Sequence, residues 1–379
     1  MRAHLSHSAA AATASKLKLP SPFKSRFLQT PFPTPPNSHH PFSTLSTLSH
    51  PLTARSFTWD DILKFTHQRD EDDDCGDEGS KALSGYFERV ADCNRNVEKV
   101  REFLPFVMEE KIVGYVHHGI ADILREYRDV FLFAQGGTSD DGHLGSHVTL
   151  QPTLGTYEDR TSAVGDVIRS LGEDVIPGIR NELYPVTDSF GSQVFFSLER
   201  AAAPYFGIKA YGVHMNGYVS MNGEQSLWVG KRSQMKQTFP GMLDHLVAGG
   251  LPHGIPCGEN MIKECDEEAG IPNHIAKRAK PVGAISYMDI DGRRFKRDVL
   301  FCYDLKLPVD FAPYNQDGEV DSFRLIPILD VAKIIRATRF FKPNCSIVII
   351  DFLFRHGYIQ PEDAGYLKLL QSLRSGDCS

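Results

Sequence analysis

Residues 257–270, CGENMIKECDEEAG, place Glu264, Glu267 and Glu268 within five positions of one another, directly before a glycine. The spacing of Met261, Cys265 and Ala269 predicts a helix with one apolar side, and Gly270 stands where a helix-ending glycine belongs. On such a helix Glu264 lies three and four residues from Glu267 and Glu268, so the carboxylates share a face. Like charges held together repel unless something neutralises them. Clustered carboxylate oxygens suit a hard divalent cation, Mg2+ or Mn2+, which completes its shell with water and substrate phosphates. A glycine pair, Gly249 and Gly250, precedes the helix by a short loop.

The spacing resembles the signature of the Nudix hydrolases: Gly, five residues, Glu, seven residues, then Arg-Glu-apolar-x-Glu-Glu-x-Gly-apolar. Gly249 opens the match, and Glu264, Cys265, Glu267, Glu268, Gly270 and Ile271 follow in register. Two positions depart from it: Ile255 replaces the first Glu and Lys263 the Arg. The resemblance implies an α/β/α sandwich with a mixed sheet, and a loop–helix–loop that holds a metal on an organic diphosphate. It implies Glu264, Glu267 and Glu268 as metal ligands, with Glu264 or Glu267 handling the attacking water. Gly249, Gly250, Lys263 and Gly270 become structural members of the box. Because relatives often supply another acid just before a late strand, Glu319 is a candidate additional acid.

Longer stretches, AGGLPHGI, KECDEEAGI and KRSQMKQTFPGMLDHL, are similar to a plant plastid subgroup related to the Nudix extension of fungal thiamin pyrophosphokinase. That resemblance implies thiamin diphosphate, or its oxidised analogues, cleaved to the monophosphate and phosphate. Hydrolysis of nucleoside diphosphate-linked compounds and non-catalytic diphosphate binding are the alternatives. Isopentenyl diphosphate isomerase shares a similar K-x-T-F-P-G-M stretch, but DHLVAGG lacks the cysteine expected before its box.

Other residues are candidates by type alone. Lys231, Arg232 and Lys236 could hold phosphate oxygens, or simply decorate a hairpin. Trp228 and Tyr211 could stack on a heteroaromatic ring, although their apolar strands favour core packing. His117 and His118 are adjacent, and neighbours on a strand point to opposite sides, so a shared metal is not expected.

The elements that must position this chemistry occupy part of a 379-residue chain with a formal net charge of −7. Met1–Trp59 contains no Asp or Glu, is rich in Ser, Thr and Pro, and carries scattered Lys and Arg. This composition predicts a transit peptide (residues 1–59), plastid in preference to mitochondrion. Removing its six positive charges leaves a body near −13, which argues against nucleic acid as a partner. An acidic linker is expected at 60–80, a small α+β domain at 81–198, the Nudix domain at 203–359, and a tail at 360–379. The seven cysteines show no C-x-x-C pair, consistent with reduced thiols. No apolar run reaches 18 residues, so no membrane-spanning helix is expected. The expected partner is a small-molecule diphosphate.

Overall fold

The computed structural model describes residues 57–67, 83–134 and 145–377. The predicted leader up to residue 56, most of the acidic linker and most of the Gly-rich loop at 136–152 lie outside them.

Helix α1 spans Trp59–His67 and α2 spans Ser84–Asp92. Strands β1 (Phe103–Met108) and β2 (Lys111–His117) form the hairpin expected from FLPFVMEEKIVGYVHHG, turning at Glu109 and Glu110. His117 ends β2 and caps α3 (His118–Leu124), accepting the Gly119 N–H at 2.9 Å. Adding β3 (Phe131–Ala134) and β4 (His147–Leu150) gives a four-stranded sheet, order β2-β1-β4-β3. Helix α4 (Tyr157–Val175) begins with a capping box at Thr156 and Asp159. A separate hairpin, β5 (Leu183–Val186) with β6 (Phe196–Glu199), and the short α5 (Ala203–Phe206) close this part around Phe106, Phe196 and Phe206.

The second sheet has seven strands. They are β7 (Lys209–Met221), β8 (Glu224–Arg232), β9 (Leu243–Asp244), β10 (Val247–Gly250), β11 (Lys280–Asp291), β12 (Arg294–Lys306) and β13 (Val320–Pro327). The order β11-β12-β7-β8-β13 is mixed: β12 and β7 run parallel, and the other neighbours antiparallel. β10 adds to β7 and β9 to β8. Helices cover both faces. On one, α6 (Cys257–Ala269) packs Met261, Cys265 and Ala269 against Val213, Met215 and Val247; the short α7 (Asn273–Ala276) follows it. On the other, α8 (Ile328–Ala337) and α9 (Pro343–Arg355) bury an aliphatic surface against Val229, Ile285 and Leu300. Alternate residues of each strand point to opposite faces, which produces the two-sided core. This is the α/β/α sandwich that the sequence predicts.

Both ends of the described chain fold onto this sandwich. Ile62 in α1 is fully buried, and the Trp59 indole N–H donates to Ser322 Oγ at 2.9 Å. Helix α2 packs on α8 and α9, not on the first sheet. Residues 360–377 do not trail: α10 (Tyr366–Ser372) buries Leu369, and the Ser286 N–H donates to Leu373 O at 3.1 Å. The described residues fall in one compact unit, 52–379. The five described cysteines are free thiols, and no described helix is long and apolar enough to cross a membrane.

Candidate active site

The glutamate helix ends as its sequence requires. Gly270 adopts φ 59°; its N–H donates to Asp266 O at 3.1 Å, and the Ile271 N–H to Cys265 O at 2.9 Å. That cap fixes the last turn, and with it Glu267 and Glu268. The glycine pair upstream is a matter of space. A Cβ on Gly249 would lie 2.3 Å from Glu264 Cδ, and one on Gly250 would lie 1.9 Å from the Tyr184 hydroxyl. Only glycine lets the strand approach this closely. Asn260 Nδ2 ties the helix back to the loop through Gly250 O at 2.8 Å.

Glu268 is anchored by the Ala248 N–H, which donates to Oε2 at 2.7 Å. Burial still pushes its carboxyl well above the usual range, with Asp244, Glu264 and Glu319 adding repulsion. Burial also raises Glu264, and Lys263 only partly offsets this. Glu264 and Glu268, both raised by burial, would be relieved by a dication, while Glu267 is half-exposed and paired with Lys263 at 2.7 Å. The residues therefore fit Mg2+ or Mn2+.

Lys263 donates to Glu267 Oε2 at 2.7 Å and to Glu264 Oε1 at 3.4 Å. With Ile255 in place of an acid, the lysine lies against the carboxylates themselves. Glu319 pairs with Lys236 at 2.5 Å. Burial raises Glu319, but Lys236, helped by Arg232 and Arg180, holds it below the usual carboxylate range. Glu319 also adds to the repulsion on Glu268.

The other candidate cations are engaged elsewhere. Lys231 Nζ donates to Phe57 O at 2.6 Å. The Arg232 guanidinium is buried, pairs with Asp244 at 2.5 Å, and donates to the carbonyls of Thr238 and Phe239. Arg232 thus fastens the loop between β8 and β9, while Lys236 is the one of the three paired with Glu319, the candidate additional acid. Trp228 packs with the core under α6. Tyr211 stacks on Phe301, with centroids 6.3 Å apart.

The β5–β6 hairpin supplies residues that no local spacing marks. Arg200 Nη1 donates to Glu182 Oε2 at 2.7 Å, and its guanidinium carbon lies 3.2 Å from where a Gly250 Cβ would be. Burial opposes the charge on Arg200, but Tyr184, Glu182 and Glu264 favour it more strongly. The same hairpin is stitched to the loop after β10, where the His253 N–H donates to Leu183 O at 2.9 Å. Asp244 and His245 were legible only as polar residues inside the apolar stretch MLDHLVAGG.

Comparison with known proteins gives three kinds of match. A family described as a domain of unknown function, DUF4743, covers residues 85–210. Among solved structures, DR0079 from Deinococcus radiodurans aligns with a TM-score of 0.34 at 18% identity, over 45% of this chain and 96% of that one. Two Arabidopsis thaliana proteins are far more similar. "Nudix hydrolase 20, chloroplastic" is 61% identical over 86% of this chain and 84% of its own length. "Nudix hydrolase 24, chloroplastic" is 57% identical over 90% of each. On the strength of these two relatives, the chain belongs to the Nudix hydrolases, enzymes that act on diphosphate-containing compounds.

Proposed function

We propose that the protein is a plastid, divalent-metal-dependent hydrolase of thiamin diphosphate or its oxidised analogues, releasing the monophosphate and phosphate. The observation that carries the hydrolase reading is the crowding of Glu264 and Glu268 against the Gly249 strand, dehydrated and mutually repelling. The thiamin reading is supported by the resemblance to the Nudix extension of fungal thiamin pyrophosphokinase. The plastid reading is supported by the acid-free leader and by the chloroplastic names of the two plant relatives.

Mg2+ or Mn2+, held by Glu264, Glu267 and Glu268, would supply neutralisation of charge on the diphosphate oxygens. Glu264 or Glu267 is the carboxylate assigned to accept the proton of the attacking water. Water adds to the terminal phosphorus, the bond to the bridging oxygen breaks, and the proton passes to the carboxylate. Glu268 keeps its orientation through the Ala248 N–H. Arg200, beside Gly250, is placed to meet a phosphate oxygen.

The test is turnover with Mg2+ or Mn2+, read as phosphate released from thiamin diphosphate and its oxidised analogues and as AMP released from ADP-ribose and NADH. Turnover of the thiamin compounds is expected, with Glu264→Gln slower by about 10²–10⁴-fold. Turnover of nucleotides alone would overturn the thiamin reading and keep the hydrolase. A Glu264→Gln variant as active as the parent would remove Glu264 from the proton-accepting role.

A further inference from the structure

Behind the catalytic strand lies a buried cluster that the diphosphate chemistry does not use. His214 comes from β7, His245 from the link between β9 and β10, and Cys345 from the first turn of α9. One ligand-capable atom of each lies within 4.8 Å of the others, and all three residues are buried. The imidazole rings meet edge-on, with centroids 5.1 Å apart. His214 Nδ1 and His245 Nε2 are buried with no hydrogen-bond partner. A buried polar nitrogen without a partner costs about 1–3 kcal/mol, so two in one cluster require a reason.

We propose that His214, His245 and Cys345 form a second metal site, distinct from the carboxylate site, that takes a zinc-class divalent cation. Two imidazoles and a thiolate are the donor set of such ions and not of Mg2+, which prefers oxygen. Burial keeps both imidazoles neutral, as a ligand must be, and pulls His245 down to about 4. The thiol donates to Asp244 Oδ1 at 2.7 Å. On binding, the S–H bond breaks, a sulfur–metal bond forms, and the proton leaves to solvent. Asp244 Oδ1 keeps the His245 N–H, which donates to it at 2.8 Å. Arg232 and Lys342 oppose a dication, but both are drawn to the other oxygen of Asp244, at 2.5 and 3.5 Å.

The position gives the site a purpose. Ala248 lies opposite His214 in the β10–β7 pairing, and its N–H holds Glu268. A metal joining β7, the β9–β10 link and α9 would fix the strand on which Glu268, one of the candidate Mg2+ ligands, rests.

The experiment uses the full chain, stripped with a chelator and titrated with Co2+ in the presence of excess Mg2+. The expected result is one tightly held cobalt per chain with a thiolate-to-cobalt charge-transfer absorption. Zn2+ should abolish the band and Mg2+ should leave it. Glu267→Gln should keep it and Cys345→Ser should lose it. Absence of the band in the parent protein overturns the proposal without reference to any variant, as does a band that survives in folded Cys345→Ser.

Discussion

Lys263 lies beside Glu264 and one helical turn before Glu267, within reach of both, while position 255 offers it no acid. A cation already resting on the carboxylates competes with the metal. Ile255→Glu should draw the lysine away and lower the Mg2+ concentration for half-maximal phosphate release by about 10-fold, the size typical of an outer partner of a ligand. An unchanged or higher requirement would count against this role for Ile255. The carboxylates also set a pH dependence. Glu264 and Glu268 are raised above their unfolded values, so the folded state binds more protons than the unfolded one. Their contribution to metal-free stability is present below about pH 4.5 and is lost as pH rises through their folded values. Melting of the metal-free protein should therefore show this loss above pH 4.5. Glu268→Gln should suppress it, so the metal-free variant should melt higher than the metal-free parent at neutral pH. Added Mg2+ should stabilise the parent more strongly as pH increases. A melting temperature indifferent to Mg2+ at pH 8 would contradict this account.

Among the elements, the β5–β6 hairpin reaches the loop after β10, through Tyr184 at Gly250 and Leu183 at His253. If Arg200 meets the substrate, Arg200→Ala should raise KM by about 10–100-fold, the loss of one charge-assisted hydrogen bond. Because Arg200 also holds Glu182, Arg200→Lys is the necessary companion; steady-state kinetics should show KM partly restored and kcat within a few-fold of the parent. This contrast between helix and hairpin explains what the sequence could disclose. The glutamate helix, its glycine cap and the glycine pair form one contiguous stretch, so spacing alone placed Glu264, Glu267 and Glu268 together. Arg200, Glu182 and Tyr184 arrive from a strand pair remote in sequence, and nothing local distinguishes them from surface residues. Lys231 and Arg232 misled in the opposite direction. Adjacent cations on a hairpin look available for phosphate, yet one is taken by Phe57 O and the other by Asp244. Similarly, the apolar stripe of α2 was legible, but its partners α8 and α9 lie at the far end of the chain.

For the whole molecule, the same distance effect governs the N-terminal boundary. Composition separates an acid-free leader from an acidic linker near Trp59, but tertiary packing overrides that line. Phe57 packs against Phe340 in a tilted ring pair with centroids 4.4 Å apart, Ile62 is fully buried, and Lys231 is capped by the Phe57 carbonyl. A chain beginning at Gln68 would strip this cover from α8 and from the β8–β13 edge. Losing one buried aliphatic side chain typically costs about 2–5 kcal/mol, so the melting temperature should fall by roughly 4–10 °C relative to a chain beginning at Leu52. Ile62→Ala should reproduce a large part of that drop. Equal melting temperatures for the two chains would mean that α1 adds no stability, and a leader cleaved within the helix would then be tolerated. The expected drop would mean that residues 52–67 stabilise the folded protein.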